Sequence, residues 1–268
     1  MRLLSTSRKK IPCYFPVIRN FNVVRGSLAL LCYPELMQRE PRLVPQEFFL
    51  ADPREVSRGL LGKILVRRKT SNRRIAKSQN HQFPSDWLAA GRIVEIEAYL
   101  GNDDPAAHAA AGKTLRNAVI FGPPGHVYVY FIYGTNFCLN ISCLPEGDAG
   151  CILLRALQPL MGVDAMARAR DIDPRQLNTI ASRRMLTSGP GRLCKALSIT
   201  RERDNDKAIY SDRSDLVVME DVLTPEEIRE TPRIGITKAA DRALRYIIAD
   251  NPFVSGKRFP TTALKLVR

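Results

Sequence analysis

The strongest constraint on how this chain folds is a succession of short apolar runs, rich in β-branched and aromatic residues and separated by turn formers. GRIVEIEAY (91–99), HVYVYFIY (126–133), 137–143 and 151–157 are of this kind, and Gly134, Thr135 and Asn136 form a hairpin-sized link between two of them. Segments 62–67, 216–219, 234–237 and 244–249 read as further strands, and the polar stretch 68–91 as a loop. Asp52, Pro53 and Glu55 stand at N-cap, N1 and N3 of a short helix through Val56 and Leu60 that stops at Gly62. Met161, Ala165, Met166, Leu177, Ile180 and Met185 recur at helical spacing, and Thr224, Pro225, Glu226 and Glu227 read as a capping box. Consecutive strands with short links favour antiparallel pairing. The expectation is one α+β domain, a mostly antiparallel, curved β-sheet surrounded by helices.

Charge narrows the partner. The 268 residues carry 41 Lys plus Arg against 27 Asp plus Glu, a net charge of +14, which points to a polyanion. Residues 1–42 hold eight basic and two acidic residues without sustained periodicity, and read as an irregular basic extension to a domain over 43–268. That domain is basic in its own right, with 33 basic residues against 25 acidic. Pro16 and Asn20 break any amphipathic targeting helix, and the apolar run 28–32 is short for a secretory signal. No stretch approaches about 18 uninterrupted apolar residues, so no membrane span is expected. The six cysteines include no C-x-x-C pair and only three histidines accompany them, so neither a disulfide framework nor a metal is expected. The compartment expected is a bacterial cytoplasm beside the nucleoid, or an organelle or nucleus in a eukaryote.

Strict alternation in 91–99 puts Ile93, Glu95, Glu97 and Tyr99 on one face and Arg92, Val94, Ile96 and Ala98 on the other. Two carboxylates and a phenol on one face fit a solvated surface paired with arginines. They fit equally a general base whose pKa is raised by burial beside aromatic rings. His108, among small alanines, is either a satisfied hydrogen-bonding residue or one side of a slot for a flat ring. Tyr128 and Tyr130 share a face of the next strand, while Tyr133 ends it at a turn where burial is difficult and a wedge into stacked bases is the alternative.

GRIVEIEAYLGNDDPAAHA (91–109), FGPPGHVYVYFIYGTNFCLNIS (121–142), CILLRALQPL (151–160) and TSGPGRLCKAL (187–197) together resemble the methylpurine DNA glycosylase family, also called alkyladenine or 3-methyladenine DNA glycosylases. The resemblance spans roughly 48–256. It implies that Glu97 is the general base that activates water and that Arg155 helps hold that water. It implies further that Tyr99, His108 and Tyr130 sandwich a flipped base, that Tyr133 enters the duplex in its place, and that Asn140 disfavours the 2-amino group of normal guanine. The substrate implied is alkylated purine in double-stranded DNA, cleaved without a cofactor. Glu95, on the same face, is the rival for the base.

The turn at 188–193 suits a DNA phosphate contact through Ser188, Arg192 and backbone N–H groups, or a plain helix start. With no lysine in the pocket motifs 91–109, 121–142 and 151–160, a monofunctional enzyme is expected, and it is expected to be a monomer. Three segments depart from the family pattern: 1–42, the basic insertion 68–90, and Ala243-Leu244-Arg245-Tyr246 where a Pro-Trp-Arg-Phe-like run is expected. The rival readings are a non-catalytic DNA or RNA binder and a sugar glycosidase, although the latter usually sets its carboxylates on different elements.

Overall fold

The computed structural model describes residues 42–69, 84–221 and 224–256. The extension before Arg42 and most of the 68–90 insertion lie outside the described residues. Contacts divide the chain into units of residues 1–33 and 34–268, and everything described belongs to the second.

The described residues form eight strands: β1 (Ile64–Arg68), β2 (Trp87–Tyr99), β3 (Val127–Ile132), β4 (Asn136–Ser142), β5 (Cys151–Met161), β6 (Leu216–Met219), β7 (Ile228–Thr231) and β8 (Arg245–Ile248). Every pairing is antiparallel, in the order β3-β4-β5-β2-β1-β6, and β8 joins β2 to β7. The expected α+β class with an antiparallel sheet is what the chain adopts.

The long strand β2 organises the sheet. One edge pairs with β5 as far as Tyr99, while the other pairs with β1 up to Arg92 and then with β8 over Glu95, Ile96 and Glu97. The C-terminal half of β2 is thereby covered on both edges. Register against β5 shifts around Glu95, leaving Val94 without a partner. Val94 packs with Ala156 and Phe253, whereas Ile93, Ile96 and Ala98 share the main core. Strict alternation therefore fails here: a bulge moves Ile93 to the core side and re-aims the carboxylates that follow.

Five α-helices accompany the sheet among the described residues: α1 (Pro53–Leu60), α2 (Val163–Ala169), α3 (Ile180–Thr187), α4 (Pro190–Ala196) and α5 (Arg201–Asp204). Asp52 caps α1 by accepting from the Arg54 N–H, Pro53 stands at N1, and Val56 and Leu60 are buried. α4 packs on β4 and β5, and α5 on β3. None of these helices is long and apolar enough to cross a membrane.

Three expectations are corrected. β2 begins at Trp87 rather than at Gly91. Residues 224–227 start no helix, because the chain runs directly into β7, whose pairing with β8 overrides the local capping pattern. Segment 234–237 is loop, and its Ile234 N–H goes to Glu97 instead of a sheet partner.

Candidate active site

The end of β2 carries two buried carboxylates in different environments. Glu95 is saturated. Its Oε1 accepts from Arg245 Nε at 2.7 Å, Ser255 Oγ at 2.9 Å and Arg155 Nε at 3.0 Å, and its Oε2 from the Ser255 N–H at 2.6 Å. Burial pushes its pKa up, but Arg245, Arg155 and the Ser255 amide outweigh that and hold it below the ordinary carboxylate range. Glu97 has fewer donors. Its Oε1 accepts from the Ile234 N–H at 2.7 Å and lies 3.1 Å from Arg155 Nη1, and its Oε2 accepts from the Tyr99 hydroxyl at 3.0 Å. Here burial dominates: the pKa is raised although Arg155, the Ile234 amide and Tyr99 favour the anion, and the Glu95 charge adds to the rise. Two neighbouring carboxylates pushed in opposite directions is the pattern of a structural anion beside a working base.

Tyr99, the hydroxyl partner of Glu97, is also a wall of a cavity of about 310 Å³ that His108, Tyr128, Tyr130, Tyr133 and Asn140 help to line; Glu97 itself does not line it. That volume is the low end of the range for small-molecule sites. The His108 and Tyr130 rings meet edge to face with centroids 4.5 Å apart, and Tyr128 stacks on Tyr130 at 5.6 Å. His108 Nδ1 is 2.9 Å from the Tyr128 hydroxyl, and burial and then Arg116 hold its pKa down, which keeps the imidazole neutral at pH 7. The Asn140 side-chain amide donates to the Tyr128 carbonyl at 3.2 Å. Tyr133 stands at the tip of the β3–β4 hairpin with 85% of its surface exposed. Its φ of 51° beside Gly134 at 67° places both residues in the left-handed region that tight hairpins use.

Residues 47–252 match the family model Methylpurine-DNA glycosylase (MPG). The chain belongs to the methylpurine-DNA glycosylase family. It is similar to a protein of Koribacter versatilis provisionally named a 3-methyladenine DNA glycosylase, 57% identical over 216 residues, which cover 81% of this chain and 94% of the relative. Relatives with the same provisional name occur in Burkholderia lata, 43% identical over 167 residues (62% and 77% of the two chains), and in Methanoculleus marisnigri, 40% identical over 219 residues (79% and 98%).

Within this methylpurine-DNA glycosylase chain, Tyr99, His108, Tyr130, Tyr133 and Asn140 converge on one cavity, and Glu97 lies one hydrogen bond behind its wall with Arg155 bound to it. Ser188 does not fit the phosphate role. Its side chain is buried and donates to the Phe253 carbonyl at 2.6 Å, while Arg192 on α4 is exposed. Glu95 accepts hydrogen bonds from Arg155, Arg245 and Ser255, all of which favour its ionised form. Sequence reasoning missed Arg245, Ser255, Asp104 and Arg233. No local pattern marks them, because each acts across long sequence separations. Tyr128 was visible through the face it shares with Tyr130. Cys138, Cys143, Cys151 and Cys194 are free, buried thiols, and burial raises the pKa of each.

Proposed function

We propose that this DNA glycosylase flips alkylated purines of the 3-methyladenine and 7-methylguanine type out of duplex DNA and hydrolyses their N-glycosidic bond. The observation that carries the reading is the link between a buried, burial-tuned Glu97 and a cavity walled by rings, through the Tyr99 hydroxyl.

A base inside the stack is out of reach, so extrusion comes first, at a cost of a few kcal/mol that a weakened lesion pair lowers. Tyr133 fills the gap, and stacking on Tyr99, His108 and Tyr130 recovers about 1–3 kcal/mol per base. A cationic alkylpurine is attracted further by the ring faces. Glu97 then takes a proton from water, the hydroxide oxygen bonds to C1′, and the C1′–N bond breaks with its electron pair leaving on the purine. Because the alkylated base leaves neutral, no general acid is needed. Arg155 keeps Glu97 oriented and supports the attacking water. Asn140, fixed by the Tyr128 carbonyl, disfavours normal guanine through its 2-amino group, a penalty that the positive charge and better leaving ability of 7-methylguanine offset, and Arg192 meets a phosphate. The enzyme works as a monofunctional monomer, leaves an abasic site, and acts where the chromosome is, the cytoplasm in a bacterium. Residues 1–42 add non-specific attraction to the domain over 43–268.

Incubation with duplex DNA carrying 7-methylguanine, followed by chromatography of the free bases, tests the reading. Release by the natural protein and its loss in Glu97→Gln are expected. Tight binding without release makes the chain a DNA binder instead, and a borohydride-trapped strand break sinks the monofunctional assignment.

A further inference from the structure

The loop from β7 to β8 reaches across to the turn that follows β2. Arg233 and Asp104 form an ion pair with both side chains wholly buried, Nη2 to Oδ1 at 2.8 Å. Asp104 also accepts from the Leu100 and Ala106 N–H groups, which ties the turn leaving Tyr99 to the same carboxylate. Arg233 Nη1 donates to the Ala98 carbonyl at 3.1 Å, and its guanidinium lies over the Tyr99 ring, 4.6 Å from the centroid. The next residue in the chain, Ile234, donates its N–H to Glu97. One arginine thus grips the backbone before Tyr99, the face of Tyr99 and the turn after it, while its neighbour holds the carboxylate to which Tyr99 is bonded.

We propose that Arg233 is a positioning residue: its ion pair with Asp104 locks the loop so that the Ile234 amide and the Tyr99 phenol stay aimed at Glu97. This rests on the reading of Glu97 as the base. The groups facing Glu97 are Arg155 from β5, Glu95 and Tyr99 from β2, Cys138 from β4, and Arg233 with the Ile234 amide from this loop. Loosening the loop removes donors that stabilise the anion, so the pKa of Glu97 rises and the acid limb of the rate profile moves to higher pH.

The test is single-turnover base release against pH for Arg233→Met, Arg233→Lys and Asp104→Asn, with amide hydrogen exchange measured on peptides from 232–244. Both Arg233→Met and Asp104→Asn are expected to move the acid limb upward by about one pH unit and to speed exchange of the Ile234 amide about tenfold. Arg233→Lys, which keeps the charge but not the fork, is expected between them and the natural protein, and it carries the test if Arg233→Met does not fold. If Arg233 acted only as a charge on Glu97, Asp104→Asn would move the limb downward, opposite to Arg233→Met, and that result overturns the proposal. So does an unchanged limb with unchanged exchange. Failure of the natural protein to release base would strike the Glu97 reading alone, since the exchange measurement needs no activity.

Discussion

The Tyr99 hydroxyl sits 3.0 Å from Glu97 Oε2, so a ring that faces the cavity is also a donor to the carboxylate behind it. Burial first, and then the Glu97 charge, push the Tyr99 pKa well up, and the phenol stays protonated throughout the working range. Tyr99→Phe keeps the ring and deletes the donor. The Glu97 anion then loses a partner, its already raised pKa rises further, and the activity loss is confined to the acid side. Single-turnover rates are expected to fall about tenfold on the acid limb of the pH profile and little on the plateau above it, with binding of an abasic-site duplex unchanged.

The two carboxylates separate stability from activity. Glu97→Gln is expected to lower base release by about a hundredfold or more while the protein melts normally. Glu95→Gln leaves Arg155 and Arg245 without their shared anion in a buried site and costs about 3 kcal/mol, seen as a lower midpoint in urea. A Glu95 variant as stable as the natural protein would refute the structural role given to it here.

Tyr133 touches little of its own protein. With 85% exposure its removal leaves the fold intact, so Tyr133→Ala is expected to melt like the natural protein. Its effect appears on DNA: binding to a lesion duplex weakens about tenfold or more, and 2-aminopurine fluorescence beside the lesion no longer rises on mixing.

Acid stability has a separate source. Asp215 bonds to Arg203, Lys207 and Arg67; burial acts to raise its pKa, but hydrogen bonds from Lys207 and Arg203 bring it down from 3.8 to about 2. A depressed folded-state value stabilises above the unfolded value, near pH 4, and the contribution fades as pH falls toward 2. It amounts to about 2 kcal/mol. Asp215→Asn is therefore expected to melt earlier at pH 6 and to converge on the natural protein only as the pH falls to about 2 and below.

What could be read from the amino acids alone was local. The runs that became β3, β4 and β5 announce themselves by composition, and α1 by Asp52 and Pro53, because the physics involved lies within a few residues. The bulge at Val94 could not be read, since one unpaired residue leaves no mark on composition. Thr224 to Glu227 misled for a related reason: a capping pattern is a local preference, and pairing of β7 with β8 is decided fourteen to twenty residues away, as Ile247 opposite Arg229 shows. The cavity rings were found through their family pattern. Glu95 and Glu97 share a face of the strand, so alternation does not tell them apart and only the family resemblance favours Glu97; the physical difference arrives from residues 155, 234, 245 and 255.

The match to the family model ends at residue 252, yet Ser255 supplies two of the donors on Glu95, through its N–H and its hydroxyl. A chain trimmed to the matched segment would keep every residue that lines the cavity and lose part of the anchor that holds Arg155 between the carboxylates. The working unit of this enzyme is longer than the segment that the family model matches.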